Sequence, residues 1–178
     1  LLGCSAPLEA EVVASPGTLG TYGACALDLH AQARITERLA YRLTFPCTED
    51  GVPPAGPWPL IGLVQGGFVA PPRYDWLGYE LAARGWVVVR PVHPLDLAID
   101  AADNATIAAD DVRWRAQGSG LLAGITDEGQ PTAVLGHSLG GVVAAIQWTA
   151  HPEAWDGLGI LASYPADGTG VEDRAGPV

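Results

Sequence analysis

The chain has 178 residues, 48% of them hydrophobic and 16% charged, which suits one folded domain with a real core rather than a disordered segment. Nine basic side chains stand against 20 acidic ones, for a formal net charge of −11. That balance argues against nucleic acid or an anionic membrane surface as a partner, and no apolar run approaches the length of a membrane span.

The chain opens on Leu1-Leu2-Gly3-Cys4, which resembles the end of a bacterial lipoprotein signal, where an apolar stretch and a small residue precede a lipidated cysteine. The other reading is an ordinary cysteine near a chain end. Pro7, Pro16 and several glycines follow, so residues 1–21 are expected to be a signal remnant or tether, and residues 22–178 the folded domain. There is no methionine, and Gly176-Pro177-Val178 reads as the beginning of a strand. The domain is therefore expected to be an incomplete piece of a longer protein.

Two alternating stretches come next. Cys25, Leu27, Leu29, Ala31 and Ala33 share one face, and Leu39, Tyr41, Leu43 and Phe45 share another. Period two predicts an antiparallel hairpin, turning near Thr36. That centre sets Cys25 opposite Cys47 on the apolar side, where they form either a cross-strand disulfide or two buried thiols. A disulfide suits an oxidising compartment, as does a lipidated Cys4.

Residues 59–64 form a short apolar run, a buried strand that ends in Gln65-Gly66-Gly67-Phe68. Two glycines at a strand end let backbone approach a ligand closely. The choice is between a plain β–α turn and one whose N–H, that of Gly67, is an oxyanion donor. Pro71-Pro72 opens a helix over residues 73–84, with Trp76, Leu77 and Leu81 for packing, and Gly85 stops it. Residues 86–90 are a second buried strand. The loop over 92–103 carries His93 and either walls the site or packs on its own apolar side chains. A helix is predicted over 106–122, with Ile107, Val112, Trp114 and Leu121 for packing.

The stretch Thr132-Ala133-Val134-Leu135-Gly136-His137-Ser138-Leu139-Gly140-Gly141 organises the rest. It predicts a buried strand, a tight turn of the form G-x-S-x-G, and a helix over 141–148, which His151-Pro152 ends. A serine on so sharp a turn projects its hydroxyl, and the backbone N–H of the next residue, Leu139, faces the same side. Glycine fits on either side because the turn leaves no room for a side chain. The helix that follows favours negative charge beside Ser138. The competing reading is a glycine-rich turn with an idle serine. A fourth buried strand is predicted over 157–162, followed by a loop that holds Asp167. The four histidines, His30, His93, His137 and His151, have no metal-ligand spacing, and there is no phosphate-binding glycine loop, so no cofactor is expected.

Short apolar strands alternating with helices predict a mostly parallel sheet with helices on both faces, preceded by an antiparallel hairpin. With the serine turn and the earlier glycine pair, this pattern resembles the α/β-hydrolase superfamily. The likeness is nearest to its dienelactone-hydrolase-like and esterase branch. It rests on Leu63-Val64-Gln65-Gly66-Gly67, Leu81-Ala82-Ala83-Arg84-Gly85-Trp86-Val87-Val88-Val89, the serine turn, and Gly159-Ile160-Leu161-Ala162-Ser163-Tyr164-Pro165. The resemblance implies an esterase with Ser138 as nucleophile, Leu139 and Gly67 as backbone donors, and a small-molecule or lipid-like ester as substrate. It places the triad's acid and histidine after later strands, beyond residue 178, with Asp167 as a second-choice acid. His137, inside the turn, is expected to point into the fold and to be a poor base. A thioesterase, a lipase, or a tethered binding module that has lost catalysis are the alternatives.

Overall fold

The computed structural model describes residues 8–34, 37–92, 103–164 and 170–171. Seven strands form one sheet: β1 (Glu11–Ala14), β2 (Gly23–Arg34), β3 (Glu37–Cys47), β4 (Leu60–Val64), β5 (Val87–Pro91), β6 (Thr132–His137) and β7 (Gly157–Leu161), in spatial order β1-β2-β3-β5-β4-β6-β7. The first three and β5 pair antiparallel, whereas β5, β4, β6 and β7 pair parallel. Because β3 opposes both of its neighbours, β2 points the same way as the parallel set, and most of the sheet shares one direction.

Among the described residues, three helices connect these strands: α1 (Asp75–Ala82), entered through a 3-10 turn over Pro71–Tyr74, α2 (Asn104–Ala116) and α3 (Leu139–Ala150). Alternate residues of the strands feed two apolar layers. Leu60, Val64, Val87, Val89 and Val134 pack with Ala105, Ala108, Ala109 and Val112 of α2 and with Val143 and Ala144 of α3. Ile61, Leu63 and Val88 face the other way, towards Tyr74 and the half-buried Leu77 and Leu81 of α1. Helices therefore cover both faces, as the strand pattern predicts. Arg90, buried in β5, pairs with Asp75 at the start of α1 at 2.5 Å. Burial pulls the Arg90 guanidinium below its usual range, and the Asp75 carboxylate opposes that shift.

Several elements differ from expectation. Glu11–Ala14, inside the stretch read as a tether, is an edge strand paired with β2. Its two adjacent valines supply β propensity, but four residues among prolines and glycines leave too short a period to read. The hairpin is offset by two residues: Cys25 stands opposite Phe45, and Leu27 opposite Leu43. An offset of two keeps every side chain on its predicted face. Cys25 and Cys47 are accordingly diagonal neighbours, 5.8 Å apart at Cα, and are joined by a disulfide.

Helix α1 ends where Gly85 predicts, by a motif the sequence only hints at. Gly85 has φ +92° and its N–H donates to the Ala82 carbonyl, while the Trp86 N–H reaches back to Leu81. Trp76 and Trp114, expected to pack, are instead 62% and 68% exposed. Small residues do the packing in α2: Ala105, Ala108, Ala109, Val112 and Ala116 follow one helical stripe and bring the helix close to the sheet. The helix stops at Ala116, short of residue 122, because Gly118 and Gly120 follow.

Candidate active site

Strand order builds the site. From β4 the chain crosses to one neighbour, β5, and then returns past β4 to the other, β6. That reversal makes the C-terminal ends of β4 and β6 a topological switch point, the place where ligands bind in sheets of this type. Val64 lies opposite Gly136 in the parallel ladder, so the turn after β4 and the turn after β6 come together although about 70 residues separate them.

Ser138 sits at the corner between β6 and α3 with φ 53° and ψ −126°, a left-handed backbone uncommon for a residue with a side chain. The conformation is held from both sides: the Ser138 N–H donates to the Leu161 carbonyl at 2.9 Å, and the Ser138 carbonyl accepts from Gly141 at 2.8 Å. The serine is exposed. The flanking glycines are there by steric necessity. A Cβ on Gly136 would stand 2.0 Å from the Gly140 carbonyl oxygen, and one on Gly140 2.3 Å from that of Gln65. The second contact also shows backbone touching backbone between the serine corner and the loop after β4.

Gly67 and Leu139, the two predicted donors, are brought side by side: a Cβ on Gly67 would come within 2.9 Å of a Leu139 methyl. The Leu139 N–H is the first of α3 and has no partner within its own helix. The loop after β4 forms a turn in which Val69 N–H donates to the Gly66 carbonyl, and Phe68 takes φ 59° within it. Phe68, 82% exposed, follows Gly67 directly, and Tyr164, beyond β7, is 74% exposed.

His137 is half-buried, and its ring is engaged by a neighbouring helix entry. Its Nδ1 is 2.8 Å from the hydroxyl of Tyr74, which also accepts from the Gly66 N–H at 2.8 Å. Tyr74 is the site residue that sequence reasoning missed. It lies 63 positions from His137 with no spacing that would link them. Asp167, His93 and Cys4 lie outside the described residues. His30 is in β2, with β3, β5 and β4 between it and the serine's strand. Among the described residues, no group of three or more His, Cys, Asp or Glu could hold a metal ion.

His151 closes the opposite end of the 12-residue helix α3, about 20 Å from the corner. It bridges Asp103 at 3.1 Å and Glu153 at 3.3 Å. The hydrogen bond to Asp103, and then that to Glu153, raise its pKa above the ordinary 6.5. A raised folded value means that the charged bridge contributes fully below the unfolded value and is lost as pH rises through the folded one. His151→Gln is therefore expected to lower the urea midpoint at about pH 5.5 and to match the parent at about pH 9.

A seven-stranded mixed sheet with a strained, glycine-flanked serine at its switch point defines an α/β-hydrolase architecture. The chain belongs to the alpha/beta hydrolase family, whose profile matches residues 60–177. No curated protein matches the chain.

Proposed function

We propose that the protein is a serine hydrolase of carboxylic esters, nearest in kind to the dienelactone-hydrolase-like and esterase branch of its family. The observation that carries this reading is the exposed Ser138 on a left-handed corner beside Gly66-Gly67. Ser138 Oγ attacks the ester carbonyl carbon, and its proton passes to a histidine base. The N–H groups of Leu139 and Gly67 receive the oxyanion, each such donor being worth roughly a hundredfold in rate. The alcohol departs with the proton from the base, and water then releases the acyl group from Ser138.

The base and acid of the triad lie outside the described residues. The family resemblance puts both on chain beyond Val178, with Asp167 as the second choice of acid. Residues 1–178 alone are accordingly expected to be nearly inactive. Phe68 and Tyr164, exposed on the segments after β4 and β7, and Leu161, exposed at the end of β7, suit a small or lipid-like ester. The Cys25–Cys47 disulfide favours an extracytoplasmic setting, consistent with a tether through a lipidated Cys4.

The test is a fluorophosphonate probe applied to the longer protein, with the adduct mapped by mass spectrometry. Stoichiometric labelling of Ser138 is the expected result. A protein that stays unlabelled overturns the esterase reading in favour of a binding module, and labelling at another residue overturns Ser138 as its nucleophile. A panel of oxyesters and thioesters then separates an esterase from a thioesterase or lipase.

A further inference from the structure

Tyr74 is buried, yet its hydroxyl lies between two groups that both belong to the serine corner's surroundings. The Gly66 N–H can only donate, so the Tyr74 oxygen accepts from it. The single phenolic proton is then free to go to His137 Nδ1, which leaves the imidazole proton on Nε2. One short chain of hydrogen bonds thus crosses from the loop after β4, through the residue that closes the 3-10 turn, to the residue immediately before Ser138. The fit leaves no slack: a Cβ on Gly66 would stand 2.9 Å from the Tyr74 hydroxyl, 3.0 Å from His137 Nδ1 and 3.2 Å from the His137 carbonyl oxygen. The two rings lie 5.7 Å apart at a tilt of 57°.

We propose that Tyr74 is a positioning residue: its hydroxyl fixes the Gly66-Gly67 loop against the serine corner and so sets where the backbone donors stand relative to Ser138 Oγ. This rests on the acyl-transfer reading above and adds to it the part that aligns the two halves of the site. Oxyanion donors act because they are held in place before charge develops, and a misplacement of about 1 Å can cost on the order of a hundredfold. The two halves come from separate crossovers of the chain. Backbone contact between Gly140 and Gln65 limits how closely they approach, and the Tyr74 hydroxyl sets their orientation. It also gives the histidine of the serine turn a task other than proton transfer: its Nδ1 is the acceptor that orients the phenol.

The experiment compares the longer protein with its Tyr74→Phe, His137→Leu and His137→Asn variants. The readouts are fluorophosphonate labelling rate, kcat and KM on a soluble ester, amide exchange at Gly66, and the imidazole nitrogen shifts of His137. Tyr74→Phe and His137→Leu are each expected to slow labelling and kcat by about tenfold with KM changed by less than about twofold. His137→Asn, whose side-chain oxygen can stand where Nδ1 stood, should retain most of the rate. The Tyr74→Phe and His137→Leu pair should be no slower than either alone, since one chain of bonds is being cut. Faster exchange at Gly66 in Tyr74→Phe, with β4 and β6 amides unchanged, and an Nε2–H tautomer in the parent complete the expectation.

A Tyr74→Phe protein with parental labelling and Gly66 exchange, and only a lower melting temperature, overturns the proposal. If that variant does not fold, the His137 pair decides: slow Leu with fast Asn supports it, and equal rates overturn it. Should the parent fail to label at all, the nucleophile assignment falls separately. Gly66 exchange and the His137 tautomer then decide whether Tyr74 orders the loop, and parental values in Tyr74→Phe overturn that too.

Discussion

Ser138→Gly is expected to abolish ester turnover and to raise the stability of the fold. The loss follows from the mechanism: without the hydroxyl no acyl-enzyme forms, and removal of a nucleophilic serine typically costs on the order of 10⁶ in kcat. The gain follows from the backbone. At φ 53° and ψ −126° a side chain is strained, and residues held in such regions store about 1 to 3 kcal/mol. Glycine adopts that conformation freely but costs about 0.5 to 1 kcal/mol more in chain entropy. The balance is a rise of about 1 kcal/mol. Ser138→Ala separates the effects, because it loses the hydroxyl while keeping the Cβ. It should be as inactive as the glycine variant and no more stable than the parent. Thermal melts of the three proteins beside their labelling rates check both halves. If the glycine variant melts lower than the alanine variant, the strain argument fails while the nucleophile assignment stands.

Gly140→Ala should strongly destabilise the described structure's serine corner and push it away from the turn after β4. The added Cβ would stand 2.3 Å from the Gln65 carbonyl oxygen and 2.5 Å from that of Val64. Both obstacles are backbone of the central strand β4 and its turn, so neither can swing aside like a side-chain tip. Overpacking a tight interior commonly costs about 1 to 3 kcal/mol, and backbone obstacles belong at the upper end or above. The same shift would part the serine corner from the loop carrying Gly67, so activity per folded molecule should drop as well. Gly157→Ala is the matched control. It lies at the start of β7, and its nearest neighbour would be 3.5 Å away, in ordinary contact. Urea titrations should therefore show a large loss for Gly140→Ala and a change of less than about 1 kcal/mol for Gly157→Ala.

Gly136 and Gly140 also mark how far the sequence alone makes this site legible. The serine turn was legible because its chemistry and its sterics select the same residues: Gly136 and Gly140 are needed by backbone contact and are also what the motif displays. β4 and β5 were legible because fully buried strands are short continuous apolar runs, as in Leu60–Val64 and Val87-Val88-Val89. β7 (Gly157–Leu161) was found by the same apolar run, but it is a half-exposed edge strand among the described residues and not the buried strand expected there. The hairpin's faces were readable, since alternation fixes parity. Its register was not, because turn geometry sets that, and a two-residue slip leaves the pattern untouched. Trp76 and Trp114 misled for a related reason. Helical spacing identifies a stripe, but the alanines of α2 offer a closer fit to the sheet than a large ring does. Tyr74 was invisible because nothing local distinguishes it. Its role arises only when β4 and β6 become neighbours.

The Ser138 N–H leans on the carbonyl of Leu161, and Leu161 ends the outermost strand at that side of the described sheet. Ser138 is therefore tied through its N–H to the edge strand β7, and it follows β6, one strand in from that edge. Rims loosen through local openings that cost far less than complete unfolding. A local opening of Gly157–Leu161 would thus also release the Ser138 N–H, so the order of this corner depends on the border of the described sheet as well as on its own helix.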